Sequence, residues 1–334
     1  MSPLRTWSAL AQNRRKPSEY EIVSHETNYT TRRIRSAPLE QSPTSPANLW
    51  LTTYRDQSRL QTSDWSAFRD PDALTYRRYV AEARDRETAV ANLLAEFADA
   101  GHDATLSPQW RQRLRLLFTT TRYHCHAAQL LQSYLALLAP TSYLTNAASF
   151  AMADQLRRTS HIAYRTRELQ TAWPLDGFGS TERHLWQSDP AWQPARRAME
   201  EALATYDWGE AFTTANLVLL PTLDALLLDG LGAAAREAGD QLTWLLLENL
   251  AADSARRDRW SAAVVGYANA RSPVAAEAIA EWARARAPLA DAAVRALATV
   301  LEPEDPDAAE VLALGCTAAR TALWARAGVR AVPR

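Results

Sequence analysis

The chain has 334 residues, 47% of them hydrophobic and 22% charged, with a net charge of −1 at pH 7. That is ample material for a large globular core, and it excludes a disordered chain or one whose overall field would recruit nucleic acid or an anionic membrane. Two cysteines, Cys125 and Cys316, exclude a disulfide framework and a zinc finger; the absence of an apolar leader, and apolar runs as short as Leu217–Leu220 and Trp244–Leu247, predict a cytoplasmic protein that spans no membrane.

Residues 1–65 are polar, rich in Arg, Ser, Thr and Pro, and carry Trp7, Tyr20, Tyr29, Trp50 and Tyr54 without a sustained period. They read as an extended arm, and the aromatics suit an arm lying on a partner surface better than a disordered tail. Residues 66–270 read as a helical bundle. Asp70-Pro71 predicts the start of a first long helix ending by Gly101, and Ser107-Pro108 the start of a second reaching Leu138. A third follows Pro140-Thr141 and stops before Pro174. Short helices are expected over 182–206. A fourth long helix runs from about Asp207 to Leu228, kinked at Pro221 and broken by Gly230 and Gly232, and a fifth from about Ala233 to Ala270. Over residues 271–334, Ser272-Pro273, Ala287-Pro288 and Pro303 to Pro306 punctuate three shorter helices.

The chain contains Ala-Asp-x-x-Arg-Arg twice, as ADQLRR from Ala153 and as ADSARR from Ala252, 99 positions apart. Each copy is two substitutions from Asp-Glu-x-Arg-His, by which four-helix di-iron proteins hold metal through a Glu and a His three apart on one helix face. Chance recurrence in an Arg-rich chain is the plain alternative. The copies fall on the third and fifth long helices; the second to fifth form two pairs joined by a long crossover, with a copy on the latter member of each pair, which is the order of a ferritin-like bundle. The predicted fold is therefore all-α and ferritin-like (ribonucleotide-reductase-like), with the N-terminal arm and extra C-terminal helices.

The surrounding sequence resembles the β subunit of the hydroxylase in bacterial multicomponent di-iron monooxygenases of the toluene, aromatic and alkene type. The resemblance is carried by LRTWSALAQNRRKPSEYE (Leu4 to Glu21), DWSAFRDPDALTYR (Asp64 to Arg77), APTSYLTNAASFAMADQLRRTSHIAYRTREL (Ala139 to Leu169), DWGEAFTTANLVLLP (Asp207 to Pro221) and RDRWSAAVV (Arg257 to Val265). It implies an (αβγ)2 assembly with α, γ and a second β subunit, in which the paralogous α subunit holds the di-iron centre. It also implies an effector protein, a ferredoxin and a reductase that supply electrons from NADH through FAD and iron-sulfur groups. This chain would be the non-catalytic subunit that scaffolds the hydroxylation or epoxidation of a hydrocarbon, with no catalytic residue and no cofactor or metal of its own.

The residues test that implication. The ligand positions are Gln155 and Arg158 in the first copy and Ser254 and Arg257 in the second. No Asp or Glu lies between Asp103 and Asp154, so the second helix brings no carboxylate, and on the fourth only Glu210 is near the expected place. Asp154, Arg157, Asp253 and Arg256 match positions that orient ligands in the catalytic paralogue. Without metal they are expected to form ion pairs, Asp154 and Asp253 serving Arg158, Arg257 and their neighbours.

Other candidates are weaker. His124 and His126 flank Cys125, but residues i and i+2 face different sides of a helix and cannot share an ion. Cys125 reads as an inert buried thiol, His161 as a satisfied histidine at the edge of the polar network, and Thr213 and Asn216 as packing residues. The clusters Arg32-Arg33-Arg35 and Arg111 to Arg115 suit a salt-bridged partner surface better than nucleic acid. Two rival functions remain at this level: a catalytic di-iron oxygenase, against which the missing carboxylates argue, and a free-standing helical binding protein for an apolar ligand.

Overall fold

A computed structural model describes residues 16–25, 27–29, 42 and 44–330. Trp7, the Arg32-Arg33-Arg35 cluster and most of the Leu4 to Glu21 stretch lie outside the described residues. Among those described, every regular element is helical: α1 (Glu19–Ser24), α2 (Pro46–Leu51), α3 (Tyr76–Asp99), α4 (Pro108–Arg113), α5 (Thr121–Leu138), α6 (Ser142–Ala172), α7 (Glu182–Ser188), α8 (Gln193–Leu203), α9 (Trp208–Phe212), α10 (Leu220–Asp224), α11 (Leu231–Glu237), α12 (Gln241–Asn269), α13 (Pro273–Leu301) and α14 (Pro306–Ala327). Wider π-helical turns over Thr213–Leu219 and Ala225–Gly230 join α9, α10 and α11 into one continuous helix.

Side-chain caps set most of the starts. Thr75, Ser107, Asp207, Asp240, Ser272 and Asp305 each accept a hydrogen bond from a first-turn amide of the helix that follows, satisfying a donor with no partner inside the helix. Several predicted boundaries move for a local reason. Asp70 caps a tight turn by accepting from Asp72 N, with Ala73 at φ 44°, so the first long helix begins at Tyr76 and not at Pro71. Gly230 and Gly232 do not break their helix. A Cβ on Gly230 would meet Leu312 at 3.1 Å, so this glycine admits α14 at close range. The actual stop is Gly239, at φ +79°, and Asp240 then starts α12. Pro288 lies inside α13, so the chain ends in two long helices where three short ones were expected. An internal proline costs about 3 kcal/mol, which the burial of Ala283, Ala290, Val294 and Leu297 along α13 offsets.

The arm is not extended throughout. Ser18 and Glu21 form a reciprocal capping box around α1, and Tyr20 packs 5.3 Å from Tyr143 of α6. Trp50 and Tyr54 meet Tyr206 edge to face. These aromatics also pack on the chain's own bundle, Tyr20 buried and Trp50 still 38% exposed.

The core runs between the α5–α6 hairpin, the continuous α9–α11 helix, α12 and α13, with α14 closing one side. The helix Trp208–Glu237 is long and apolar enough to cross a membrane, which the short uninterrupted runs in the sequence hid. It is the central helix of the core, with Leu217, Val218, Leu219, Leu220 and Leu223 buried on all sides. An all-round apolar helix is what the centre of a large bundle requires.

Candidate functional site

The two Asp-x-x-Arg-Arg copies lie on α6 and α12, whose facing sides meet in the bundle. Successive residues of a helix point about 100° apart. The two arginines of each copy therefore face different neighbours.

Arg158 and Arg257 point inward and converge on one carboxylate, Asp224 of α10. Arg158 Nη1 donates to both Asp224 oxygens at 3.2 and 3.3 Å. Arg257 Nη1 donates to Asp224 Oδ2 at 2.5 Å, and Ser254 Oγ donates to the same oxygen at 2.7 Å. Arg158 Nη2 donates to Ser254 Oγ at 2.6 Å and to the Leu250 carbonyl at 3.2 Å. Arg257 also pairs with Asp258 at 2.7 Å. Burial alone would raise the Asp224 carboxyl, but Arg158 and Arg257 outweigh it and hold the group well below the ordinary carboxylate range. All three side chains are ionised at neutral pH.

Arg157 and Arg256 point outward, toward α3. Arg256 Nη2 reaches both oxygens of Asp154 at 2.5 Å, and Tyr79 OH of α3 donates to Asp154 Oδ1 at 3.0 Å. Asp253 accepts from Arg157 Nη1 at 3.1 Å and from Arg86 of α3. Glu87 of α3 accepts from Arg157 Nε at 2.5 Å and is 2.9 Å from His161 Nε2. Burial, then the charge of Asp253, pushes Asp154 up to about 6 against the pull of Arg256. In α3 only Val90 is buried, so polar links carry much of its attachment to the bundle.

Ion pairs are thus present, Asp154 and Asp253 serving the expected neighbours Arg256 and Arg157. Asp154 and Asp253 do not serve Arg158 and Arg257; those arginines share Asp224. Glu210, the acid singled out on the fourth helix, instead pairs with Arg286 of α13 at 2.8 Å. Asp224 went unnoticed because it lies beyond Pro221, where a kink was expected, with no motif around it. The available signal was an acid at position 224 inside the apolar run from Leu217 to Leu228: a charge in such a place requires a partner.

His124 and His126 face opposite ways, the first buried and the second exposed. Neither ring nitrogen of His124 has a hydrogen-bond partner, and burial lowers its pKa to about 4 with help from Arg158 and Arg257. Cys125 is buried, its thiol pushed up to about 12 by desolvation, so it is inert. Gln155 is buried with an unpartnered Oε1. Asn216 accepts from Gln132 Nε2 at 2.5 Å in the wide turn of the central helix, and the Thr213 hydroxyl has no partner. Arg111 is used within the chain, bonded to Asp176 at 2.6 Å and lying 3.5 Å over the Trp173 ring.

A di-iron carboxylate centre needs four carboxylates and two histidines. Here two guanidinium groups, an amide and a hydroxyl stand at the motif's ligand positions, and both guanidinium groups and the hydroxyl bond to Asp224. Fixed cations and neutral donors do not neutralise two metal ions, so these residues do not fit that group.

Comparison with known proteins agrees with this architecture. The family model described as methane/phenol/alkene hydroxylase matches residues 48–271. The chain is 41% identical over 266 residues to the hydroxylase component subunit beta of the toluene-4-monooxygenase system of Ectopseudomonas mendocina, covering 80% of this chain and 81% of that protein. A solved structure of toluene 4-monooxygenase with toluene in its resting active site superposes with a TM-score of 0.85 at 38% identity, covering 90% of this chain and 99% of that one. The oxygenase component subunit alpha of the alkene monooxygenase system of Xanthobacter autotrophicus is also similar, 23% identical over 218 residues, covering 62% of this chain and 44% of that protein.

Proposed function

Given that the chain belongs to the methane/phenol/alkene hydroxylase family, as a β subunit of a multicomponent monooxygenase hydroxylase, we propose that it is the subunit that carries no metal and scaffolds a di-iron α subunit. The observation that carries this reading is the convergence of Arg158 and Arg257 on Asp224. The second position of each proposed ligand pair is filled here by a guanidinium group already paired with a carboxylate of the chain. Gln155, Arg158, Ser254 and Arg257 are the degenerate ligand positions, and Asp154, Arg157, Asp253 and Arg256 the retained orienting ones, now turned to holding α3. No oxygen chemistry is assigned to this chain.

The finer assembly follows from the same kinship. The complex is proposed as (αβγ)2 in the cytoplasm, fed from NADH through FAD and iron-sulfur carriers and gated by an effector protein. Its substrate would be an aromatic hydrocarbon such as toluene, or an alkene; selection belongs to the α subunit. The contact surface for α is proposed along residues 1–65, α3 and α6. Between α3 and α6 run two adjoining apolar troughs of about 460 and 450 Å3, walled by Leu94, Ala98 and Tyr164, the last 57% exposed. Such a face is of the kind that partners cover.

Metal analysis of the full chain, purified alone and together with its α subunit, tests the proposal. Iron is expected only in the co-purified complex. Stoichiometric iron on the isolated chain, or failure to co-purify with α, would overturn it.

A further inference from the structure

The inner cluster is more than a defective metal site. Its acceptors are arranged as a cradle for a cation. Both oxygens of Asp224, Ser254 Oγ and the Leu250 carbonyl all receive the two terminal nitrogens of Arg158, at 2.6–3.3 Å. Arg158 Nε takes no part and has no partner among the described residues. The head is therefore held entirely through its two NH2 groups, the part that a free guanidinium ion also possesses. Arg257 brings a second guanidinium to the same carboxylate, from the equivalent position on α12. Two cationic heads, one from each ligand position, stand around one buried anion.

The cradle also borders open space. A crevice of about 330 Å3 between α10, α12 and α14 is lined by Asp224, Ser254 and Arg257, and its walls include the small side chains Ala255, Ala319 and Ala322, with Arg326 among its lining residues. A planar ion of four heavy atoms is far smaller than this space.

We infer that Asp224, Ser254 and the Leu250 carbonyl form a buried cation site that the chain fills with its own arginines, and that truncating Arg158 converts it into a binding site for free guanidinium-type cations. The fixed heads replace mobile cations, so the fold carries the positive charge its centre needs and does not depend on metal supply. A planar fork matches four acceptors at once, whereas an ammonium presents a point charge with three donors. Selectivity for guanidinium over ammonium follows. The inference rests on the reading of these positions as metal-free, but its test is a stability measurement independent of assembly.

The experiment measures the melting temperature of the full-length Arg158→Ala variant against added guanidinium chloride at about 1–30 mM, far below denaturing concentrations. Sodium chloride, methylammonium chloride and urea at equal concentrations are the controls. The variant is expected to melt below the wild type and to recover saturably with guanidinium alone. The wild type and the double variant Arg158→Ala/Asp224→Leu are expected not to respond. A rise equal to that in sodium chloride, or an equal rise in the double variant, would overturn the site. Should Arg158→Ala not fold unaided, its refolding is measured in guanidinium chloride at the same concentrations with the same controls; recovery with guanidinium alone is expected, and no recovery, or equal recovery in sodium chloride, would overturn the site. Co-purification with the α subunit, scored separately, distinguishes failure of the scaffold reading from failure of this one.

Discussion

Neighbouring arginines in the same six-residue motif do opposite work. Arg158 and Arg257 are buried against a single carboxylate in the centre of the bundle, while Arg157 and Arg256 reach outward to a helix that buries only one side chain. The inner cluster is deep: Arg158, Arg257 and Asp224 have side-chain exposures of 2%, 3% and 9%, so little water is at hand to replace a lost partner. The outer clamp grades into solvent, and its last member, Glu87, is 48% exposed. Depth decides how much each ion pair matters, because the cost of stranding a charge grows as water is removed.

The largest effect expected from this contrast follows Asp224→Ala. It leaves two buried guanidinium groups without their shared anion and should destabilise the chain by about 3–5 kcal/mol in urea titration. A cost below about 1 kcal/mol, typical of exposed pairs, would show that the inner and outer layers are energetically alike.

Acid sharpens the comparison next. The folded-state pKa of His124, about 4, lies below its ordinary value of 6.5, so the unfolded chain binds the proton more readily in that window. Stability should therefore fall as pH drops from 6.5 toward 4, by roughly 3 kcal/mol in total from this group. Asp154 acts in the opposite sense: its raised folded pKa means that protonation near pH 6 relieves a cost. Asp224, held low, keeps its contribution until pH falls below the unfolded carboxylate range. The difference between wild type and His124→Leu, measured at pH 7 and pH 4.5, isolates the histidine. Parallel pH profiles for the two proteins would contradict its assignment as a neutral imidazole confined beside two arginines.

The smallest effect belongs to the rim. Glu87→Gln removes the carboxylate shared by Arg157 and His161 and should cost less than about 1 kcal/mol globally. Its signature is local: faster amide exchange in α3, with α5, α6 and α12 unchanged. Uniform acceleration throughout the bundle would mean that the clamp is part of the core and not a separate attachment.

How much of this was legible beforehand depends on the range of the interaction. Caps were readable where the capping residue and its amide are three positions apart, as at Ser107, Asp207 and Ser272. The capping box at Ser18 and Glu21 was equally local and was passed over inside an aperiodic stretch. Asp70-Pro71 imitated a helix start because a turn and a first helical turn use the same two residue types. Pro288 imitated a helix end because the packing that retains it comes from α8, the central helix and α14, all distant in sequence.

The amino-acid sequence by itself determined the all-helical class, the pairing of long helices and the presence of an amide, a hydroxyl and two guanidinium groups, not carboxylates or imidazoles, at Gln155, Ser254, Arg158 and Arg257. Those properties reside in periodicity and residue type, which need no partner. Only the tertiary structure decided that Asp224 receives both inner arginines, that Asp154 and Asp253 serve the outer ones and α3, and that Glu210 belongs to Arg286. A buried charge takes the partner that the register of neighbouring helices brings within hydrogen-bond reach, and that register is settled by packing across the whole bundle.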